Sequence, residues 1–127
     1  NTIDPGQWGY VVLRPTAGAF DSYGITHQDV IFYEGQYYMY YHALPYKDRN
    51  AGLVIGLATS PDGIHWTKHA KPVLTPGTES WESGSLYHPS PVVVGDKMYL
   101  YYSGITTYVA YPLKGNCEVG VAFSARP

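Results

Sequence analysis

A chain of 127 residues, 45% of them apolar, is long enough for one modest hydrophobic core, and its 14 Tyr, 3 Trp and 3 Phe outnumber its 18 charged residues. The net charge of -2 argues against a nucleic-acid binder, which needs a basic field, and no apolar run approaches the length of a membrane span. Cys117 is the single cysteine, so neither an intrachain disulfide nor a cysteine-based metal cluster can form.

The chain opens on a polar, turn-forming stretch, Asn1 to Gly9, with an Asp4-Pro5-Gly6 turn signal. Tyr10 to Leu13 is Val-rich and predicts a short strand, and Arg14 to Ile25 predicts a loop. Asp29 to Tyr33 and Tyr37 to His42 are two β-rich runs separated by Glu34-Gly35, which predicts a tight hairpin. A polar connection over Ala43 to Ala51 leads to a third strand at Leu53 to Thr59. Ser60-Pro61-Asp62-Gly63 is a turn: Pro sets φ, Asp bonds locally and Gly accepts left-handed geometry. Ile64 to Lys68 carries the polar residues expected of an exposed fourth strand.

The same order then returns. Pro91 to Val94 and Met98 to Ser103 flank a Gly95-Asp96 turn, Ile105 to Asn116 is a long connection, and Glu118 to Ser124 is a third strand. The correspondence is positional. Phe20 and Trp81, Asp21 and Glu82, His27 and His88, and Tyr40-Tyr41 and Tyr101-Tyr102 all stand 61 positions apart. Val11 to Pro15 lies over Pro72 to Pro76, and Ile55 to Ser60 matches Val119 to Ser124 after a longer loop in the second copy. No segment carries a helical apolar stripe.

A repeated four-stranded unit predicts an all-β fold of propeller blades. The boundaries fall near 11–71 for the first repeat and 72–127 for the second, within one two-blade unit over 1–127. The second blade lacks its fourth strand. Two blades do not close a ring, so assembly of copies into a homo-oligomer is expected, as a dimer of four blades or a trimer of six; a fragment of a longer propeller is the alternative. The Tyr38, Tyr40, Tyr99 and Tyr101 stripe reads first as packing between blades.

The segments SPDGIHW (Ser60 to Trp66), IGLATS (Ile55 to Ser60), QYYMYYHA (Gln36 to Ala43) and YHPSPVVVGDKMYLYYSG (Tyr87 to Gly104) resemble the five-bladed β-propeller glycoside hydrolases. That group includes arabinanases and β-xylosidases, fructan hydrolases and mannoside phosphorylases. The resemblance covers nearly the whole chain but only about two blades of a family that normally has five. It implies paired carboxylates at the inner ends of blades, acting as general acid and as base or nucleophile. Many members carry an Asp-Pro pair before the inner strand. Here His88-Pro89 stands in that position, with His27-Gln28 as its counterpart in the first repeat.

A histidine can transfer protons near neutral pH. The candidate catalytic set is therefore His88 or Glu82 as proton donor with Asp29 as base. His27, Asp21 and His42 are candidate substrate contacts, and Tyr23, Tyr87 and Trp81 offer rings for a sugar, as do the loop residues Tyr46 and Tyr108. Asp62 and Trp66 read as turn and packing residues. No local metal motif is present and no metal ligands are assigned, although imidazoles gathered near the channel could hold a divalent cation. GxGxxG, Walker and GxSxG patterns are absent.

The functional expectation is a carbohydrate-active protein that hydrolyses a glycosidic bond in a central cavity, with an oligosaccharide or glycoside as its partner. The alternatives are a non-catalytic glycan-binding module and a protein-interaction propeller. The first residues do not resemble a signal peptide, and a cleaved signal would leave the same picture, so secreted and cytoplasmic locations both stand open.

Overall fold

The structure is a computed structural model that describes residues 9, 11–45, 52–77, 79–105 and 117–125. The Asp4-Pro5-Gly6 turn, Tyr10 and most of the two long connections lie outside the described residues. Two antiparallel sheets make up the fold. The first has the order β1 (Gly24–Tyr33), β2 (Gln36–Leu44), β3 (Val54–Ser60) and β4 (Thr67–Lys68). The second has β5 (Ser85–Val94), β6 (Lys97–Ile105) and β7 (Cys117–Ala125), preceded by a single 3-10 turn over Ser80–Glu82.

Alternation along the strands decides what packs where. Tyr38, Tyr40, Ile55 and Leu57 face the second sheet and meet Leu86, Met98, Leu100 and Tyr102 in one buried cluster. Polar links cross the same seam: Leu86 N–H donates to the Leu53 carbonyl at 3.1 Å, and Leu53 N–H donates to Ser85 Oγ at 3.2 Å. The opposite face of the first sheet buries Met39, Tyr41, Ala43, Val54 and Ala58 under Leu13, Phe20, Ile25 and Trp66. A cavity of about 670 Å³ remains there, walled by Val11, Val12, Leu13, Val30, Met39 and Trp66. The opposite face of the second sheet is open, and Val119, Val121 and Phe123 on β7 and Tyr101 on β6 are exposed.

The two inner strands, β1 and β5, begin earlier than the sequence suggests. Each contains a register shift, between Thr26 and Asp29 in β1 and between Tyr87 and Ser90 in β5. The residues at the shifts look like loop in the sequence, but they form bulges and the ladder resumes on the far side. At the fourth strand the difference runs the other way, and only Thr67–Lys68 pairs. Asp62 Oδ1 accepts the Ile64 and His65 N–H groups, both at 2.8 Å, so these donors are taken by a side chain before they can join a ladder. Val11 to Leu13 forms no strand. These residues lie over the apolar face of the first sheet, where Leu13 packs and all three line the cavity.

Candidate functional site

The two bulges bring the repeat-equivalent histidines side by side. His27 has φ 44 and His88 has φ 53, both in the left-handed region that non-glycine residues seldom enter. Backbone strain of this kind is held only where the surroundings over-determine it. The imidazole centroids of His27 and His88 are 4.4 Å apart with the planes tilted by 53°. Both rings are exposed.

Beneath them lies His42, 3% exposed, on β2 opposite Thr26. Its ring centroid is 5.2 Å from that of His27 and 6.3 Å from that of His88, and Tyr87 meets it edge-on at 5.1 Å. His27 Nδ1 is 3.2 Å from His42 Nδ1 and 3.2 Å from Thr26 Oγ1. Burial pushes the His42 pKa down from 6.5 to about 4, with the neighbouring His27 and His88 adding to the effect. The His88 pKa is also lowered, first by burial and then by His27. Both His42 and His88 are therefore neutral near pH 7.

The cluster is a proton-handling site in form: two exposed imidazoles on a rim, and one buried imidazole in hydrogen-bond contact with the first. Among the described residues no group of three or more His, Cys, Asp or Glu side chains is arranged to hold a metal ion. In this cluster two Nδ1 atoms are spent on each other.

Asp29 sits just past the first bulge, paired with Tyr40, and is exposed. Asp21 is 1% exposed and serves a different neighbourhood: its Oδ2 accepts Lys68 Nζ at 2.6 Å and its Oδ1 accepts the Thr16 N–H at 3.1 Å. Glu82 Oε2 accepts the Tyr102 hydroxyl at 2.6 Å, and Trp81 stacks on Tyr102 with centroids 5.6 Å apart. The Tyr102 pKa is raised by burial and by this bond. Tyr23 is exposed. The structure thus gathers His27, His42, His88 and Tyr87, while Asp21, Glu82 and Trp81 anchor loops. Tyr46 and Tyr108 lie outside the described residues. Thr26 carries no signal in the sequence, since a threonine beside a histidine is ordinary until the bulge sets its hydroxyl against His27 Nδ1.

A family model described as the glycosyl hydrolases family 32 N-terminal domain matches residues 27–119, which run from the first bulge histidine into β7. The chain belongs to that family. Solved structures agree on the fold of this family 32 chain. Zg3597, a family 117 glycoside hydrolase produced by the marine bacterium Zobellia galactanivorans, is 22% identical with a TM-score of 0.75, over 94% of this chain and 34% of that one. A second comes from work on the GH130 family of mannoside phosphorylases, which contains glycoside hydrolases that target β-1,2 mannosidic linkages in Candida mannan. It is 17% identical with a TM-score of 0.72, over 99% of this chain and 41% of that one. A glycosyl hydrolase from Bacteroides ovatus is 20% identical with a TM-score of 0.62, over 80% of this chain and 29% of that one. A search of curated proteins gives no match. The family 32 chain spans about a third of the length of these solved relatives. Its two sheets are blades of the propeller fold that the sequence motifs suggested.

Proposed function

We propose that this chain is carbohydrate-active and that its glycan meets the exposed rim formed by His27 and His88. The observation that carries this reading is the pair of left-handed bulges, which recur in both blades and aim two imidazoles at one place. Membership of a glycosyl hydrolase family supplies the ligand class. In the hydrolytic form of the proposal, the protonated fraction of His88, kept small at neutral pH by its lowered pKa, donates its proton to the glycosidic oxygen as the C–O bond breaks, and Asp29 takes the proton of the attacking water. Asp29, an exposed carboxylate two residues along β1 from His27, faces the positive charge that develops on the sugar. Glu82 plays no part in this reading, because its carboxylate is engaged by Tyr102.

One observation favours a second reading, a glycan-binding module without turnover. His88-Pro89 and His27-Gln28 stand where many propeller hydrolases carry an Asp-Pro pair, so the rim presents imidazoles in place of a carboxylate. Calorimetry with mannan, fructan and arabinan oligosaccharides, followed by product analysis, separates the two. The hydrolytic form predicts products, and a loss of roughly 100-fold in rate for His88→Asn or Asp29→Asn. Saturable binding with no product over long incubation selects the binding module. Failure of every glycan to bind overturns both.

We propose further that the apolar faces at the two ends of the unit are covered by other copies of the chain. The exposed Val119, Val121 and Phe123 on one side, and the cavity walled by Val12, Val30 and Trp66 on the other, support a head-to-tail contact that closes a ring. Light scattering should then give two or three times the 14.1 kDa chain mass. A stable monomer would remove ring closure by copies.

A further inference from the structure

We propose that His42 is a positioning residue that holds His27 in its Nε2–H tautomer, so that the rim offers an N–H donor to an acceptor oxygen of the glycan. The proposal rests on the glycan reading for its ligand, but not for its geometry.

The argument begins with the contact between two like atoms. His27 Nδ1 and His42 Nδ1 are 3.2 Å apart. Two neutral imidazoles can share a hydrogen bond there only if one Nδ1 carries a proton and the other does not. Two arrangements satisfy this. In the first, His42 Nδ1–H donates and its Nε2 is bare. In the second, His27 Nδ1–H donates and His42 carries its proton on Nε2.

The surroundings of His42 decide between them. Its Nε2 is buried and has no hydrogen-bond partner among the described residues. The second arrangement would strand an N–H there, and buried N–H groups without an acceptor are rare because the donor loses its water and gains nothing. The first arrangement leaves only a bare ring nitrogen. Thr26 does not discriminate, since its hydroxyl, 3.2 Å from His27 Nδ1, can accept from an Nδ1–H as well as donate to a bare nitrogen. In the first arrangement His27 Nδ1 accepts from His42 Nδ1–H, and the single ring proton of His27 stays on Nε2.

Every titratable group in contact with the pair fits this assignment. His27 comes from β1, His42 from β2, and His88 and Tyr87 from β5. None is a carboxylate, so none of these contacts draws a second proton onto the pair. The depressed His42 pKa keeps that ring neutral above about pH 5, so His42 itself brings no second proton to the contact. The left-handed bulge then fixes where the His27 ring stands, and His42 fixes which of its nitrogens bears hydrogen.

The test uses ¹⁵N- and ¹³C-labelled full chain without glycan, at neutral pH, reading the His27 tautomer from long-range ¹H–¹⁵N couplings. The wild type should show His27 as Nε2–H. His42→Leu removes the donor, and His27 should become a mixture of tautomers. His42→Asn keeps an amide donor near the Nδ1 position and should restore Nε2–H. Glycan affinity should fall about tenfold in His42→Leu and recover in His42→Asn. A wild-type His27 bearing its proton on Nδ1, or a tautomer unchanged in His42→Leu, would overturn the assignment. Should His42→Leu fail to fold, the wild-type tautomer still decides. The expected tautomers without any glycan effect would leave His42 as the positioning residue and defeat the glycan reading instead.

Discussion

The two blades place the same residue types at the same repeat positions and then use them differently. Asp21 and Glu82 are equivalent, as are Tyr41 and Tyr102, and Gly56 and Gly120. In the second blade the longer Glu82 reaches the Tyr102 hydroxyl. In the first blade the shorter Asp21 turns to Lys68, and the buried Tyr41 hydroxyl has no hydrogen-bond partner among the described residues. The paired glycines accommodate different rings: a Cβ at Gly56 would overlap Tyr41, whereas one at Gly120 would overlap Trp81. A repeat therefore transmits the backbone and the slot more faithfully than it transmits the contact that fills the slot.

The largest expected effect comes from filling those slots. Gly120→Ala and Gly56→Ala should each destabilise the fold by about 3 kcal/mol, the upper end for overpacking, since the rings they meet are held in stacked pairs. Urea unfolding of each variant measures this. A cost well under 1 kcal/mol at either site would show that its ring can swing aside.

Next is pH. The folded His42 pKa of about 4 lies below its ordinary value of 6.5, so the unfolded chain binds the proton more readily. The stability from this group is present above pH 6.5 and declines as pH falls, with roughly 3 kcal/mol gone by pH 4. The second blade has Ser103 at the equivalent position, so His42→Ser should flatten this part of the pH profile. An unchanged slope would mean that the loss originates elsewhere.

Breaking the loop anchors comes third. Asp21→Ala leaves Lys68 with the Arg14 carbonyl and Thr16 hydroxyl among the described residues, and should cost about 2 kcal/mol. Glu82→Gln, which keeps an acceptor for Tyr102, should cost less than 1 kcal/mol. The smallest effect carries the sharpest sign. Tyr102→Phe removes a made hydrogen bond and should destabilise by about 1 kcal/mol, whereas Tyr41→Phe removes a buried hydroxyl without a partner and should stabilise by a similar amount. Equal signs for the two would break the contrast between the blades.

The repeat made most of this fold legible. Hairpin turns at Glu34-Gly35 and Gly95-Asp96, the second strands over Tyr37 to His42 and Met98 to Ser103, and the matching third strands all stand in the sequence as they stand in the structure. The bulges did not, because a histidine in left-handed geometry has no local signature, and His27-Gln28 and His88-Pro89 look like loop. The fourth strand is shorter than the sequence suggests for a related reason: Asp62 takes the N–H groups that a ladder would use. At the site, recurrence singled out His27 and His88, but nothing at the residue level separates a buried His42 from a surface one. Asp21 and Glu82 stand out in the sequence as repeated acids, whereas their partners, Lys68 and Tyr102, lie far along the chain.

The most direct test of the account follows the five imidazoles by NMR while the glycan that binds is titrated into the 127-residue chain. The account predicts saturable shifts at His27 and His88, a smaller one at His42, and none at His65 or His69, which lie outside the cluster. Saturable binding that leaves His27 and His88 unmoved would contradict it.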